Sequence, residues 1–162
     1  MKITIEPYNP NWVHQFDEIK NELNDILVDF DPIIEHFGST SIPHLAAKPV
    51  IDILVGIDDT KYFREIEKRM KSHPYIYYEV YNSSMPNRRL FVRLKDEVDT
   101  TLFPKIYQTL DNIPHQELNE SRIAHVHIWK FGTQDWIRHI AFRDYLIAHP
   151  YIKKEYETLK KE

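Results

Sequence analysis

At 162 residues, with 42% hydrophobic and 13% aromatic residues, the chain is long enough to bury a sizeable core and too apolar to be disordered. Its net charge of −4 argues against general nucleic-acid affinity, and the lack of cysteine excludes disulfides, thiolate zinc sites and cysteine nucleophiles. No apolar run reaches the ~20 residues of a membrane span, and Met1-Lys2 leads straight into ITIEPY with no apolar signal region, so the expectation is one cytoplasmic domain over 1–162 with no membrane partner.

Lys2–Glu6 reads as a short β-like segment. Asn9 can cap a helix with Pro10 at its first position, and Trp12, Val13, Phe16, Ile19, Leu23, Ile26, Leu27 and Phe30 follow at helical spacing until Pro32. Ile33, Ile34 and Phe37 form a β-prone run that Gly38 stops. Gly38 removes the Cβ, so backbone can approach a ligand, and Ser39, Thr40 and Ser41 supply hydroxyls. That turn is either an ordinary helix cap or a seat for an anion at a helix start. Lys48 is either a phosphate partner or a surface cation.

Val50–Val55 is a β-branched strand in which Val50, Asp52 and Leu54 share one face and Ile51, Ile53 and Val55 the other. A carboxylate in a buried strand wants a partner or a metal. Asp58 to Thr60 caps a helix with Tyr62, Phe63, Ile66 and Met70 inward and Arg64, Lys68, Arg69 and Lys71 as a solvated basic face. Tyr75–Tyr81 and Arg89–Leu94 read as strands, a candidate hairpin across residues 82–87. Arg88 and Arg89 at the start of the second offer forked donors for a triphosphate, with ordinary strand-end charge as the alternative. From Lys95 to Arg122 the pattern is weak: an extra strand, a loop or short helix, or a lid, with Asp96 or Asp99 as a possible second carboxylate.

Ile123–Trp129 reads as a strand with His125 and His127 on one face and Ala124, Val126 and Ile128 on the other. Paired imidazoles of this kind bind metal, donate to phosphate, serve as acid and base, or stay in structural hydrogen bonds. Gly132-Thr133 then caps a helix with Trp136, Ile137, Ile140, Ala141 and Leu146 inward. Arg143 either braces the site or forms a buried ion pair. His149-Pro150 marks a bend before a further helix over Tyr151–Glu162 with Lys153, Lys154, Lys160 and Lys161 exposed.

GSTSIPHLAAKPVIDILV resembles the signature of the GrpB family, a Gly-Ser-Thr-Ser turn, a Lys-Pro and an acid on the next strand. EPYNPNW is similar to that family's opening, and HVHIWKFGTQDWIRHIAFRDYLIAHPYIKKEYETLK to its closing block with His-x-His and Phe-Arg-Asp-Tyr-Leu. The resemblance implies a nucleotidyltransferase-like fold, an α+β domain whose mixed β-sheet is flanked by helices. It also implies a metal-dependent nucleotidyltransferase moving a nucleotidyl group from a nucleoside triphosphate to an unknown acceptor. In that reading Asp52, His125 and His127 are catalytic or metal-ligating, with Mg²⁺ or Mn²⁺ as cofactor, and Gly38, Ser39, Thr40, Ser41, Lys48, Arg88 and Arg89 bind the nucleotide. Two alternatives stay open, a nucleotide-binding module without chemistry and a hydrolase whose metal sits on a His₂-carboxylate set. His44 stands where the family has glycine, so a backbone that only glycine adopts is not expected there. Val50 stands where the wider superfamily has a second acid, which puts two-metal transfer in doubt.

Overall fold

The computed structural model describes residues 4–161; Lys2 and Ile3 of the expected Lys2–Glu6 segment lie outside the described residues, and the rest makes a single antiparallel bridge, Glu6 to Ala47. Five strands form one mixed sheet in the order β1-β2-β5-β4-β3. They are β1 (Ile33–Phe37), β2 (Ile51–Ile57), β3 (Tyr75–Tyr77), β4 (Arg88–Leu94) and β5 (Arg122–Lys130). β2 and β5 run parallel at the centre, and the remaining neighbours are antiparallel. The helices are α1 (Asn11–Ile26), α2 (Phe63–Lys71), α3 (His115–Ser121), α4 (Gln134–Ala148) and α5 (Pro150–Lys161). This is an α+β domain with a mixed sheet flanked by helices.

One face of the sheet carries the main core. α1 buries Trp12, Phe16, Ile19, Leu23 and Ile26, and α2 buries Phe63, Ile66 and Met70. Both lie over Ile51, Ile53, Val55, Ala124, Val126 and Ile128. Each such aliphatic side chain contributes about 1.5–3 kcal/mol on burial, so truncating one at the centre, Leu23→Ala, costs about 2–5 kcal/mol. Asn9 accepts from the Asn11 backbone N–H at 2.9 Å and starts α1 as its sequence suggests. Val13 departs from the expected stripe and is exposed.

Two ion-paired networks tie β4 to the helices on this face. Glu22 of α1 accepts from Arg93 Nε and NH2, both at 3.0 Å, and from the Tyr75 hydroxyl at 2.7 Å. Glu67 of α2 accepts from Arg89 Nε at 2.9 Å and from the Tyr77 hydroxyl at 2.6 Å. The tyrosines of β3 therefore act as hydrogen-bonded core residues. β3 ends at Tyr77 rather than Tyr81, because residues 105–107 cross its edge. Tyr77 N–H donates to the Lys105 carbonyl, and Tyr107 N–H donates to the Tyr77 carbonyl, each at 2.8 Å. The segment from Lys95 thus covers a sheet edge and ends in one short helix, α3, with no further full strand.

The opposite face holds two smaller apolar clusters. Phe37, Leu54, Trp129 and Trp136 form one beneath α4. Ile76, Leu94, Tyr107, Ile113 and Leu118 form the other beneath the 95–121 segment. α4 packs through Trp136, Ile140 and Leu146, so Ile137 and Ala141, expected inward, lie on the neighbouring stripe and are exposed. Between the two clusters this face is polar, and there the sequence places its chemistry.

Candidate functional site

The parallel register sets Asp52 directly opposite His125, and Leu54 opposite His127. Period-2 alternation then turns Asp52, His125 and His127 to the same face, in the gap between the two apolar clusters. Asp52 Oδ1 lies 3.7 Å from His125 Nδ1 and 3.9 Å from His127 Nε2. One ligand atom from each residue lies within 4.8 Å of the others, and among the described residues no other His, Asp and Glu cluster is so placed.

Burial sets the charges of this trio. It pushes Asp52 up to about 7, against the pull of Lys48, Arg122 and Lys160. It lowers His125 to about 4, reinforced by Arg122, Lys48 and Arg88, and takes His127 well below the usual range. Burial thus favours the neutral imidazole at both positions, the form that can ligate a metal. Two neutral imidazoles and one carboxylate fit a single divalent ion of the Zn²⁺, Mn²⁺ or Fe²⁺ type better than Mg²⁺, which prefers an all-oxygen shell.

A β-bulge adds a cation that strict alternation hides. Arg93 pairs with Ala124 but Leu94 pairs with Arg122, so Ile123 is skipped. Arg122, three residues before His125, is thereby re-aimed to the histidine face. Its NH1 donates to His125 Nε2 at 3.2 Å, and Arg88 NH1 reaches His127 Nδ1 at 3.5 Å. An arginine only donates, so these outer nitrogens accept, and the imidazole protons point at Asp52. A metal ion would reverse both tautomers. The two guanidiniums would then have to turn away, which frees them for an anion.

The turn before β2 closes the cleft. Gly38 adopts φ +72, ψ −174, a conformation essentially restricted to glycine, and Asp52 packs against its Cα. The expected helix start is a single 3₁₀ turn, Ser39–Ser41, without a side-chain cap. Thr40 is buried with its hydroxyl 2.9 Å from His36 Nε2, and Ser41 donates to the Gly38 carbonyl at 2.5 Å. Of the three hydroxyls, Ser39 is the one that meets another site residue: it accepts from Lys160 Nζ at 2.7 Å. Lys160, expected exposed, is half-buried, because Ile152 and Tyr156 of α5 pack onto Ile42, Leu45 and Leu146 and carry position 160 to the turn.

The result is a cleft of about 90 Å³ whose polar lining is Ser39, Thr40, Lys48, Asp52, Arg122, His125 and Lys160. Three cations surround one carboxylate, which makes it a place for an anion. Arg88 borders the trio. Arg89, proposed from sequence as a nucleotide contact, points to the other face, where it bonds Glu67 and lies 4.5 Å over Phe63. Asp96 pairs with Arg93 at 3.1 Å, and Asp99 caps Thr101 on the surface, so neither adds a second carboxylate to the trio. Arg143 forms no buried ion pair, since the side chain of its partner Glu35 is 41% exposed; NH1 donates to Glu35 Oε2 and to the His36 carbonyl, each at 2.9 Å, and so pins α4 to β1.

Arg122 and Lys160 are the site residues that sequence reasoning missed. Lys160 had a signal, its i, i+4, i+8 spacing with Ile152 and Tyr156, whereas nothing in the sequence announces the bulge at Ile123. No helix among the described residues is long and apolar enough to cross a membrane.

Comparison with known proteins accords with this architecture. The chain is 34% identical over 161 residues to UPF0157 protein YqkA of Bacillus subtilis, covering 99% of the chain and 39% of that protein. It is 31% identical to Glutamate-rich protein GrpB of Alkalihalophilus pseudofirmus, covering 99% of the chain and 80% of that protein. The crystal structure of the conserved protein GrpB from Enterococcus faecalis superposes with a TM-score of 0.74 at 33% identity, covering 98% of this chain and 81% of that one. The family model described as GrpB protein matches residues 2–162, and the chain belongs to the GrpB family.

Proposed function

We propose that the Asp52 cleft binds a nucleoside triphosphate and transfers its nucleotidyl group to an acceptor, with one divalent ion on Asp52, His125 and His127. The observation that carries this reading is the meeting of a metal-competent trio with Lys48, Arg122 and Lys160 in one cleft. Such an ion supplies Lewis-acid polarisation of a phosphoryl oxygen. The chain's own residues do the rest. The three cations offset the triphosphate's charge and the charge that grows on the departing pyrophosphate. The Gly38 turn keeps Asp52 in place, and Ser39 orients Lys160. In the transfer the acceptor oxygen bonds to the α-phosphorus, the bridge to the β-phosphate breaks, and the acceptor's proton goes to water. A triphosphate substrate implies a cytoplasmic setting.

The test is calorimetric titration of ATP, GTP, CTP and UTP with Mn²⁺, Mg²⁺ or Zn²⁺ into wild type and Asp52→Ala, with product analysis of α-labelled triphosphate. Metal-dependent binding lost in the variant, with labelled product from wild type, is the expected result. Failure of every triphosphate to bind overturns the reading. A second reading, a metal-dependent hydrolase, is favoured by the donor set itself, which holds two histidines and a single carboxylate where two-metal transfer needs more acids. Release of inorganic phosphate without nucleotidyl product would decide for it.

A further inference from the structure

Residues 95–121 contribute nothing to the metal-competent trio, yet they wall a second hollow beside it. This hollow has a volume of about 170 Å³. Tyr78, Tyr81, Val92, Leu110 and Ile113 line it, together with the polar His115 and Asn119. Arg122 and His125 line both this hollow and the Asp52 cleft, so the two cavities share a wall.

Its chemistry is unlike that of the cleft. The Tyr78 and Tyr81 rings stack at 6.0 Å and 19°, and Tyr78 is held from behind by Tyr107 at 5.4 Å. The walls are mainly aromatic and aliphatic, with His115 and Asn119 as polar points, a mix suited to a flat heteroaromatic ring. The Arg122 Nε, on the shared wall, is buried and has no hydrogen-bond partner in the protein. A buried guanidinium N–H left unpaired is costly, and a ligand that bridges the two cavities would pass it.

We propose that this hollow seats the heteroaromatic ring of a nucleotide-type substrate, whose phosphate arm runs past Arg122 into the Asp52 cleft. The ring seat rests on the phosphate reading of that cleft for the direction of the arm alone. Tyr78 is flanked by Tyr81 and Tyr107 and Tyr81 by Tyr78 and Arg88, so the ring packs against tyrosine edges and the aliphatic wall, and burial of its apolar surface adds about tenfold or more to affinity. Because the walls are mainly apolar, purine and pyrimidine triphosphates bind within about fivefold of each other. The segment that resisted reading in the sequence thus serves to hold the ring.

The experiment compares inorganic tripolyphosphate, ATP, CTP and adenosine by calorimetry, on wild type and on Leu110→Trp and Tyr81→Ala. Leu110 is about half exposed at 51%, so tryptophan there fills the hollow without entering the core. ATP is expected to bind at least tenfold tighter than tripolyphosphate, and both variants remove that advantage while tripolyphosphate stays within twofold. Equal affinity of ATP and tripolyphosphate for wild type, or an advantage that survives in Leu110→Trp, overturns the proposal. Adenosine separates it from the phosphate reading. If tripolyphosphate fails to bind but adenosine binds and is lost in Leu110→Trp, the ring seat stands and the phosphate reading falls. If no titration shows a gain that depends on the ring, the ring seat falls.

Discussion

A Cβ on Gly38 would stand 2.5 Å from Asp52 Oδ2, so the carboxylate occupies space that any other residue at 38 would take. The backbone at φ +72 also disfavours an L side chain. Gly38→Ala is expected to cost about 2–4 kcal/mol, from strain and from displacing Asp52, and to abolish metal binding at the trio. Urea midpoints and a metal titration check it. A variant with unchanged stability and metal affinity would show that the glycine does not seat the carboxylate.

Asp52 is a stability liability at neutral pH. Its folded pKa, raised to about 7 from an ordinary 3.8, means that the folded state binds the proton more tightly than the unfolded chain. Stability from this group is therefore present at low pH and lost as pH rises between about 4 and 7. Neutral His125 runs the other way. Its folded pKa of about 4 gives stability that is present above 6.5 and lost as pH falls. The difference between Asp52→Asn and wild type isolates the first effect. The variant is expected to gain on wild type across pH 4–7 and to be more stable by about 1–2 kcal/mol at pH 8, a reduced figure because the carboxylate is a third exposed. Thermal melts across that range decide it, and a difference that does not change with pH would count against the raised pKa.

Metal and anion should bind cooperatively. Without an ion, Arg122 and Arg88 donate to the outer nitrogens of His125 and His127. An ion on the inner nitrogens puts protons where those donors point and releases the guanidiniums. An anion that recruits Arg122 removes the same conflict from the other side. Tripolyphosphate is therefore expected to tighten Mn²⁺ or Zn²⁺ about fivefold or more, and the metal to tighten tripolyphosphate by the same factor, as linkage requires. Replacing Arg122 by Gln should shrink that coupling. Independent affinities in wild type would exclude the exchange.

His44 stands at φ +67, the left-handed region that favours glycine. Histidine stands here in place of the family's glycine, and the backbone is left-handed, a region that glycine favours but does not monopolise. That region is the one where histidine is among the better-tolerated residues, but the strain remains. His44→Gly is expected to raise stability by up to about 1 kcal/mol, less the extra freedom that glycine gives the unfolded chain. A lower melting temperature would mean that the contact of His44 with Tyr8 outweighs the strain.

Much of this site was legible because it follows period 2. Asp52 and His125/His127 lie on clean alternating strands, so their shared faces could be read one strand at a time. Which strands are neighbours could not be read, since nothing local says that β2 lies beside β5 rather than β4. A strand-end arginine reads the same on either face until the partner helix is known, and Glu67 holds Arg89 on the face away from the trio. The turn's hydroxyls read alike in sequence, whereas in the fold Thr40 lines the cleft while bonded to His36 and Ser41 bonds the turn's own carbonyl. Tyr75–Tyr81 was too long a strand because edge coverage by residues 105–107 is a tertiary event.

The cleft draws its parts from widely spaced segments: Asp52 from β2, His125 from β5 and Lys160 from α5. During synthesis from the N-terminus, the sheet edge β1–β2 and both core helices can form with Ser39, Lys48 and Asp52 in place, long before the histidines and Arg122 join them. The parallel pairing that creates the trio must wait for β5, and the last cation arrives only with the turn of helix around residue 160. Binding competence therefore depends on segments made well after the β1–β2 pair and the two core helices. A nascent chain released short of α5 would carry a packed core and an anion site lacking one of its cations.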